Sequence, residues 1–182
     1  MLLDLEHEGR RIRIRDLKPD DEQDVLALFD AAGDWFTAAT GRPAAPGDVQ
    51  SLYYALPEGA AFQDKTLIVI AVGGEIVGVI DAVIRYPTAG SCTLGLFLIH
   101  PAFRRRGLGS LVASALLREL AAENYTHVAT SVTEGWRPGT EFLTALGFSF
   151  ESPRLPAPAN RNLGPGERPV IRARLHLAPL TR

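Results

Sequence analysis

Two rhythms of apolar residues alternate along this chain, one repeating every second residue and the other every three or four. From Arg10 to Arg15 (RRIRIR) arginine alternates with isoleucine, the pattern of a strand with one buried face. After Pro19, DDEQDVLALFDAAG places Val25, Leu26, Leu28 and Phe29 near helical spacing, and acids crowd the first turn, where the helix dipole favours them. Asp34-Trp35-Phe36 opens a stretch without regular spacing, followed by DVQSLYYALP, which predicts a short helix stopped by Pro57. From Thr66 the texture changes. TLIVIAV, a Gly73-Gly74 turn and EIVGVIDAVIRY predict a hairpin of β-branched strands, and SCTLGLFLI predicts a third strand in which Gly95 marks a bulge or a close backbone approach.

Helical spacing returns between Gly107 and Ala122, with Leu108, Leu111, Val112, Ala115, Leu116 and Leu120 on one face. HVATSV (127–132) predicts another strand. In WRPGTEFLTALGF, Pro138 suits a first helical turn and Gly147 the left-handed residue that closes a helix. Phe148 to Glu151 is expected to begin a strand, the Pro- and Gly-rich residues 152–169 a loop, and Val170 to Leu177 (VIRARLHL) the last strand. Helices that follow strands in this way indicate an α/β (α+β) class.

A chain of 182 residues, 46% hydrophobic and 22% charged, is expected to fold as one domain over 1–182. No apolar run approaches the ~20 residues of a membrane span, and the opening residues lack the basic-then-apolar order of a secretion signal, so no membrane and a cytoplasmic location are expected. Cys92 is the only cysteine and the four histidines are scattered, so no metal is expected. A net charge of −2 argues against nucleic acid as a partner. Residues 1–64 carry 13 acids and 6 bases (−7), leaving 8 acids and 13 bases (+5) for 65–182. An anionic ligand on the second part fits that asymmetry, as does chance placement of surface charge.

The charge has one focus. In LFLIHPAFRRRGLGS a strand ends at His100-Pro101, three arginines follow, and Gly107 and Gly109 lead into a helix. The unpaired N–H groups of a helix N-terminus suit a phosphate, glycines let the backbone approach it, and Arg104, Arg105 and Arg106 add donors. Gly109 is followed by Ser110 and Leu111, not by the Lys-Ser/Thr of a P-loop, and Val112 stands where a dinucleotide fingerprint has its third glycine.

With the strand before it and the amphipathic helix after it, RRRGLG resembles the cofactor motif of the GNAT superfamily of N-acetyltransferases, and FLTALGF (142–148) resembles that family's second motif. The order of elements is similar too, over roughly the whole chain. The resemblance implies a GNAT fold with a mixed sheet of about six to seven strands and about four helices. It implies acetyl-CoA, or another acyl-CoA, as co-substrate and an amine on a small molecule or peptide as acceptor. The pyrophosphate of coenzyme A would lie on the backbone of Arg104, Arg105, Arg106, Gly107, Leu108, Gly109 and Ser110. The pantetheine arm would run along Phe97, Leu98 and Ile99, splayed from 127–132 by a bulge, with Trp136, Phe142 and Leu143 beside it. A homodimer is compatible with an edge formed by the last strand.

Acyl transfer to an amine needs an unprotonated nucleophile. With a pKa of ~10.4, only about one lysine-like amine in a thousand is neutral near pH 7.4, which costs about 4 kcal/mol, so a base is valuable. Where the family commonly carries a tyrosine acid and an asparagine, this chain has Leu143 and Trp136, and 91–99 holds no carboxylate. Asp81, mid-strand among apolar neighbours, is the candidate base, and Tyr86 a candidate acid alongside Tyr53 and Tyr54. Asp34, Trp35 and Phe36 are candidate walls of a cation-binding acceptor pocket. Three classes stay open at this stage: an acyltransferase, a module that holds acyl-CoA without turnover, and a protein that uses the arginines for another partner.

Overall fold

The computed structural model of the chain describes residues 2–151 and 168–178. Strands β1 (Leu2–His7) and β2 (Arg10–Asp16) form a hairpin. Helices α1 (Glu22–Ala31), α2 (Gly33–Thr40) and α3 (Pro46–Tyr54) follow. Strands β3 (Lys65–Val72), β4 (Glu75–Ile84) and β5 (Ser91–Ile99) form an antiparallel meander. Helix α4 (Leu108–Ala122) then crosses over to β6 (His127–Thr133), which lies parallel to β5. Helix α5 (Arg137–Ala145) and strands β7 (Ser149–Phe150) and β8 (Val170–His176) close the described chain. The eight strands form one sheet in the order β1-β2-β3-β4-β5-β6-β8-β7, and β5–β6 is its one parallel pair.

Opposite faces of the sheet carry opposite helices. Val69, Val79 and Leu98 face α1–α3, where Val25, Phe29, Phe36 and Leu52 meet them. Ile68, Ile80 and Ile99 face α4, packing on Leu108 and Val112. A third cluster joins Val128 and Ala173 to Leu143 and Phe148 around α5. The alternation read from sequence is thus the division of each strand between two layers.

Two features depart from expectation. There are eight strands among the described residues where six to seven were expected, because β1 pairs with β2 through Glu8-Gly9, both at positive φ. That geometry belongs to a two-residue hairpin turn whose usual signal, Asn-Gly or Asp-Gly, is missing. Among the described residues there are five α-helices where about four were expected. The irregular stretch begins with α2, whose weak helix formers are held by the burial of Phe36 against Phe29, ring centroids 4.9 Å apart, and which ends at left-handed Gly41. The loop expected over 152–169 lies, but for its last two residues, outside the described residues.

Candidate active site

The site begins with a mismatch in pairing. Asp81 of β4 lies opposite Leu96, while the next residue, Ala82, lies opposite Leu94, so Gly95 is the extra residue of a bulge. Its parallel partner β6 stays with β5 only from Ser91/His127 to Leu94/Thr130. Thr130 Oγ1 donates to the Leu94 carbonyl at 2.9 Å, and beyond this bond the two strands part. A Cβ placed at Gly95 would stand in ordinary contact, 3.6 Å, with both the Asp81 carbonyl and Asp81 Oδ2, so the Asp81 carboxylate borders the bulge.

The backbone facing this opening follows from strand alternation. His100 N–H donates to the Val77 carbonyl at 2.8 Å, so His100, Leu98 and Leu96 turn their peptide groups toward β4. Phe97 and Ile99 turn theirs the other way, into the opening. Leu98 is therefore tied to Val79, and of the three residues suggested by sequence only Phe97 and Ile99 turn their peptide groups to the open edge. Arg104 Nε already donates to the Ile99 carbonyl at 2.7 Å.

At the end of β5 the chain turns through His100-Pro101, where Ala102 N–H donates to His100 Nδ1 at 3.2 Å, and enters the arginine loop. Arg105 (φ 61°) and Gly107 (φ 83°) are both left-handed. The first intrahelical bond of α4 runs from Leu111 N–H to the Gly107 carbonyl at 2.9 Å. The N–H groups of Gly107, Leu108, Gly109 and Ser110 precede it and have no carbonyl behind them in the helix. With the helix dipole they form a place for an anion, on which Gly107 and Ser110 are exposed while Leu108 anchors the turn in the core.

The arginine side chains are otherwise engaged. Arg104 Nη1 donates to Asp34 Oδ2 of α2 at 2.6 Å, Arg105 Nη1 to Glu141 Oε2 of α5 at 3.0 Å, and Arg106 Nη2 to Glu8 Oε2 of the β1–β2 turn at 2.5 Å. His7 Nε2 lies 2.6 Å from the Arg106 carbonyl, so the first hairpin braces the loop from outside. Three acids from three elements offset three cations, which leaves the main chain as the principal electropositive surface. One donor is left over: Arg104 Nη2 is buried and has no hydrogen-bond partner.

Asp81 lies on the α1–α3 face beside the bulge. Lys65 Nζ donates to its Oδ1 and Oδ2 at 2.8 and 3.0 Å and to the Ala55 carbonyl at 2.7 Å. The lysine side chain is 5% exposed and the aspartate 16%. Burial pushes the Asp81 carboxyl above the ordinary aspartate range, against the opposing pull of Lys65. Tyr86 is bound elsewhere: its hydroxyl donates to the Glu58 carbonyl at 3.1 Å, and its own carbonyl accepts from Thr93, on the fully paired side of the bulge. Tyr53 donates to the Lys18 carbonyl at 3.5 Å and Tyr54 is exposed, while Trp35 packs edge-on against core Phe36 with ring centroids 4.9 Å apart, beside Asp34, which is paired with Arg104.

Across the opening, Phe142 of α5 packs on Phe97 with ring centroids 5.2 Å apart, and Leu143 is buried one residue on. Trp136 is half-buried at the N-cap of α5. None of the three carries an acid. Cys92 is buried on the same side, and burial pushes its thiol up to about 11. Among the described residues no group of three or more His, Cys, Asp or Glu is placed to hold a metal ion, and no helix is long and apolar enough to cross a membrane.

Comparison with known proteins matches residues 27–148 to the acetyltransferase (GNAT) family. Comparison with curated proteins returned no significant match. Among solved structures, an acetyltransferase from Thermus thermophilus is 19% identical, with a TM-score of 0.71 over 96% of this chain and 100% of that one. The ribosomal-protein-S18-alanine N-acetyltransferase of Escherichia coli is 17% identical, with a TM-score of 0.61 over 94% and 97%. The GNAT domain of S. lividans PAT is 19% identical, with a TM-score of 0.65 over 97% of each chain. At these identities the likeness is one of fold.

Proposed function

The chain belongs to the acetyltransferase (GNAT) family, and from that membership we propose that it transfers an acyl group directly from an acyl-coenzyme A to a primary amine of a small molecule or peptide terminus. The observation that carries the reading is the meeting of two openings on one strand. The bulge at Gly95 frees the β5 edge, and the same strand runs on into the loop whose amides await an anion. A ligand with an amide-bearing arm and a pyrophosphate matches both in that order. The backbone of Phe97 and Ile99 would pair with the arm, and the amides of 105–110 would take the pyrophosphate.

A thioester supplies an activated carbonyl: the amine nitrogen bonds to its carbon, the C–S bond breaks with its electron pair going to sulfur, and the amine gives up a proton. Asp81 is the carboxylate nearest the bulge, and we assign it the role of accepting that proton, directly or through water. Burial raises its basicity, against the opposing pull of Lys65. Cys92, buried and protonated at neutral pH, is unsuited to carry the acyl group as an intermediate, which supports direct transfer. The peptide-terminus acceptor class is motivated by the E. coli relative, whose name specifies an alanine of ribosomal protein S18.

Leu143 and Trp136, in place of the family's frequent acid and amide, favour one alternative, a module that holds acyl-CoA without turnover. Thiol release from acyl-CoA, followed with a panel of polyamines, aminoglycosides, amino acids and N-terminal peptides, separates the two. Acceptor-dependent release is expected. Tight coenzyme A binding with no release over the whole panel would favour the module, and no coenzyme A binding would overturn both.

A further inference from the structure

Between the sheet and the two helices α4 and α5 lies a cavity of about 90 Å³. It borders the place where β5 and β6 part: Leu94, the last paired residue of β5, and Phe97, whose peptide group faces the opening, line it together with Phe142 and Leu143. From there it runs inward below the sheet, over Ile80 and Ile84 of β4, and is roofed by Leu116 and Leu120 on the far half of α4. Of the side chains around it only Thr66 and Cys92 carry a polar atom, and the thiol is held protonated by burial.

Apolar cavities of this kind stay dry and accept apolar guests, whereas a water would need two to four polar partners. The pantetheine arm does not suit the interior, because its amides would lose their hydrogen bonds there. They find partners at Phe97 and Ile99, at the opening. An acyl chain attached beyond the arm has the opposite requirement. It starts at the opening, carries no polar atom after its carbonyl, and fits a pocket lined by hydrocarbon.

Building on the acyl-CoA reading above, we propose that this cavity is the binding site for the hydrocarbon tail of the acyl donor, and that the protein selects acyl chains of about six to nine carbons, since ~10–15 Å³ of such volume holds one water-sized group. The sheet then divides the reaction. The tail lies on the α4–α5 face and the acceptor amine arrives from the α1–α3 face, where Asp81 is. The carbonyl carbon stays in the gap between β5 and β6.

The test is calorimetric titration of the full chain with coenzyme A and with its acetyl, butyryl, hexanoyl, octanoyl and dodecanoyl thioesters. Each two methylenes buried should tighten Kd by about tenfold, with the gain ending near eight carbons. Leu120→Trp, which fills the far end, should abolish the gain beyond butyryl and leave coenzyme A binding within about threefold of wild type. Ile84→Phe serves as a second filling variant should Leu120→Trp fail to fold. Equal affinity for acetyl and hexanoyl thioesters, with coenzyme A still bound, would overturn the acyl-chain site alone. Loss of all binding, coenzyme A included, would overturn the acyl-CoA reading on which it rests.

Discussion

Replacing Gly109 by glutamate places a carboxylate where the anion is expected. The substituted Cβ would stand 3.3 Å from Phe142 Cε2 and 3.8 Å from Ile99 Cγ1, a crowding that a small turn of the Phe142 ring relieves. A carboxylate in the first turn of α4 also complements the helix dipole, so the fold should survive with a melting temperature near wild type. Binding should not. At ~5 Å, each unit of like charge costs about 1–3 kcal/mol between water-like and protein-surface dielectrics, so two phosphate charges cost at least ~2 kcal/mol, or about thirtyfold in Kd. Arg105→Ala provides the contrast. Arg105 is 81% exposed and already paired with half-exposed Glu141, so its loss should weaken binding by no more than about fivefold. Calorimetric Kd values for coenzyme A, with melting curves to confirm the fold, check both variants. Comparable losses in the two, or none in Gly109→Glu, would refute the argument that the main chain rather than the arginine side chains holds the pyrophosphate.

Other expectations follow from the same geometry. Asp21 accepts from Arg15 Nη1 and Nη2 at 2.6 and 2.8 Å and from Lys18 N–H at 2.8 Å, and the guanidinium holds its carboxyl below the ordinary range. A depressed acid stabilises above its unfolded pKa of ~3.9, so Asp21→Asn should cost about 1–3 kcal/mol in denaturant melts at pH 7, a difference that vanishes as pH falls through the folded value. Gly78→Ala would put a Cβ 2.8 Å from Ile70 Cδ1 and 2.9 Å from the Leu98 carbonyl, so it should lower stability by about 1–3 kcal/mol and weaken coenzyme A binding by displacing β5. Asp81→Leu alone strands a buried lysine and should cost about 3–5 kcal/mol, much of it regained in Lys65→Met/Asp81→Leu. In that folded double variant kcat should stay at least about a hundredfold down, and an unchanged kcat would remove Asp81 from the chemistry.

What could be read from sequence was whatever depends on neighbours along the chain. The Gly73-Gly74 turn, the bulge at Gly95, the glycine-led start of α4 and left-handed Gly147 each announce themselves through a residue type with one local job. Features made by distant residues were not legible. The acids that pair with Arg104, Arg105 and Arg106 lie 70, 36 and 98 residues away, so the loop read as bare positive charge. Lys65 could not be matched to Asp81 before β3 and β4 were placed in register. Strand β1 was missed because Glu8-Gly9 takes a turn usually signalled by asparagine or aspartate. The cavity beneath β4 has no sequence signal, since each lining residue alone reads as ordinary core.

Backbone amide NMR of the labelled chain titrated with acetyl-CoA reports on each N–H of the proposed cradle. Saturable shifts are expected at 105–110 and at Phe97 and Ile99, with Leu98, bonded to Val79, much less affected. No shift at millimolar ligand, or shifts confined to residues away from the loop and the β5 edge, would contradict the proposed cradle.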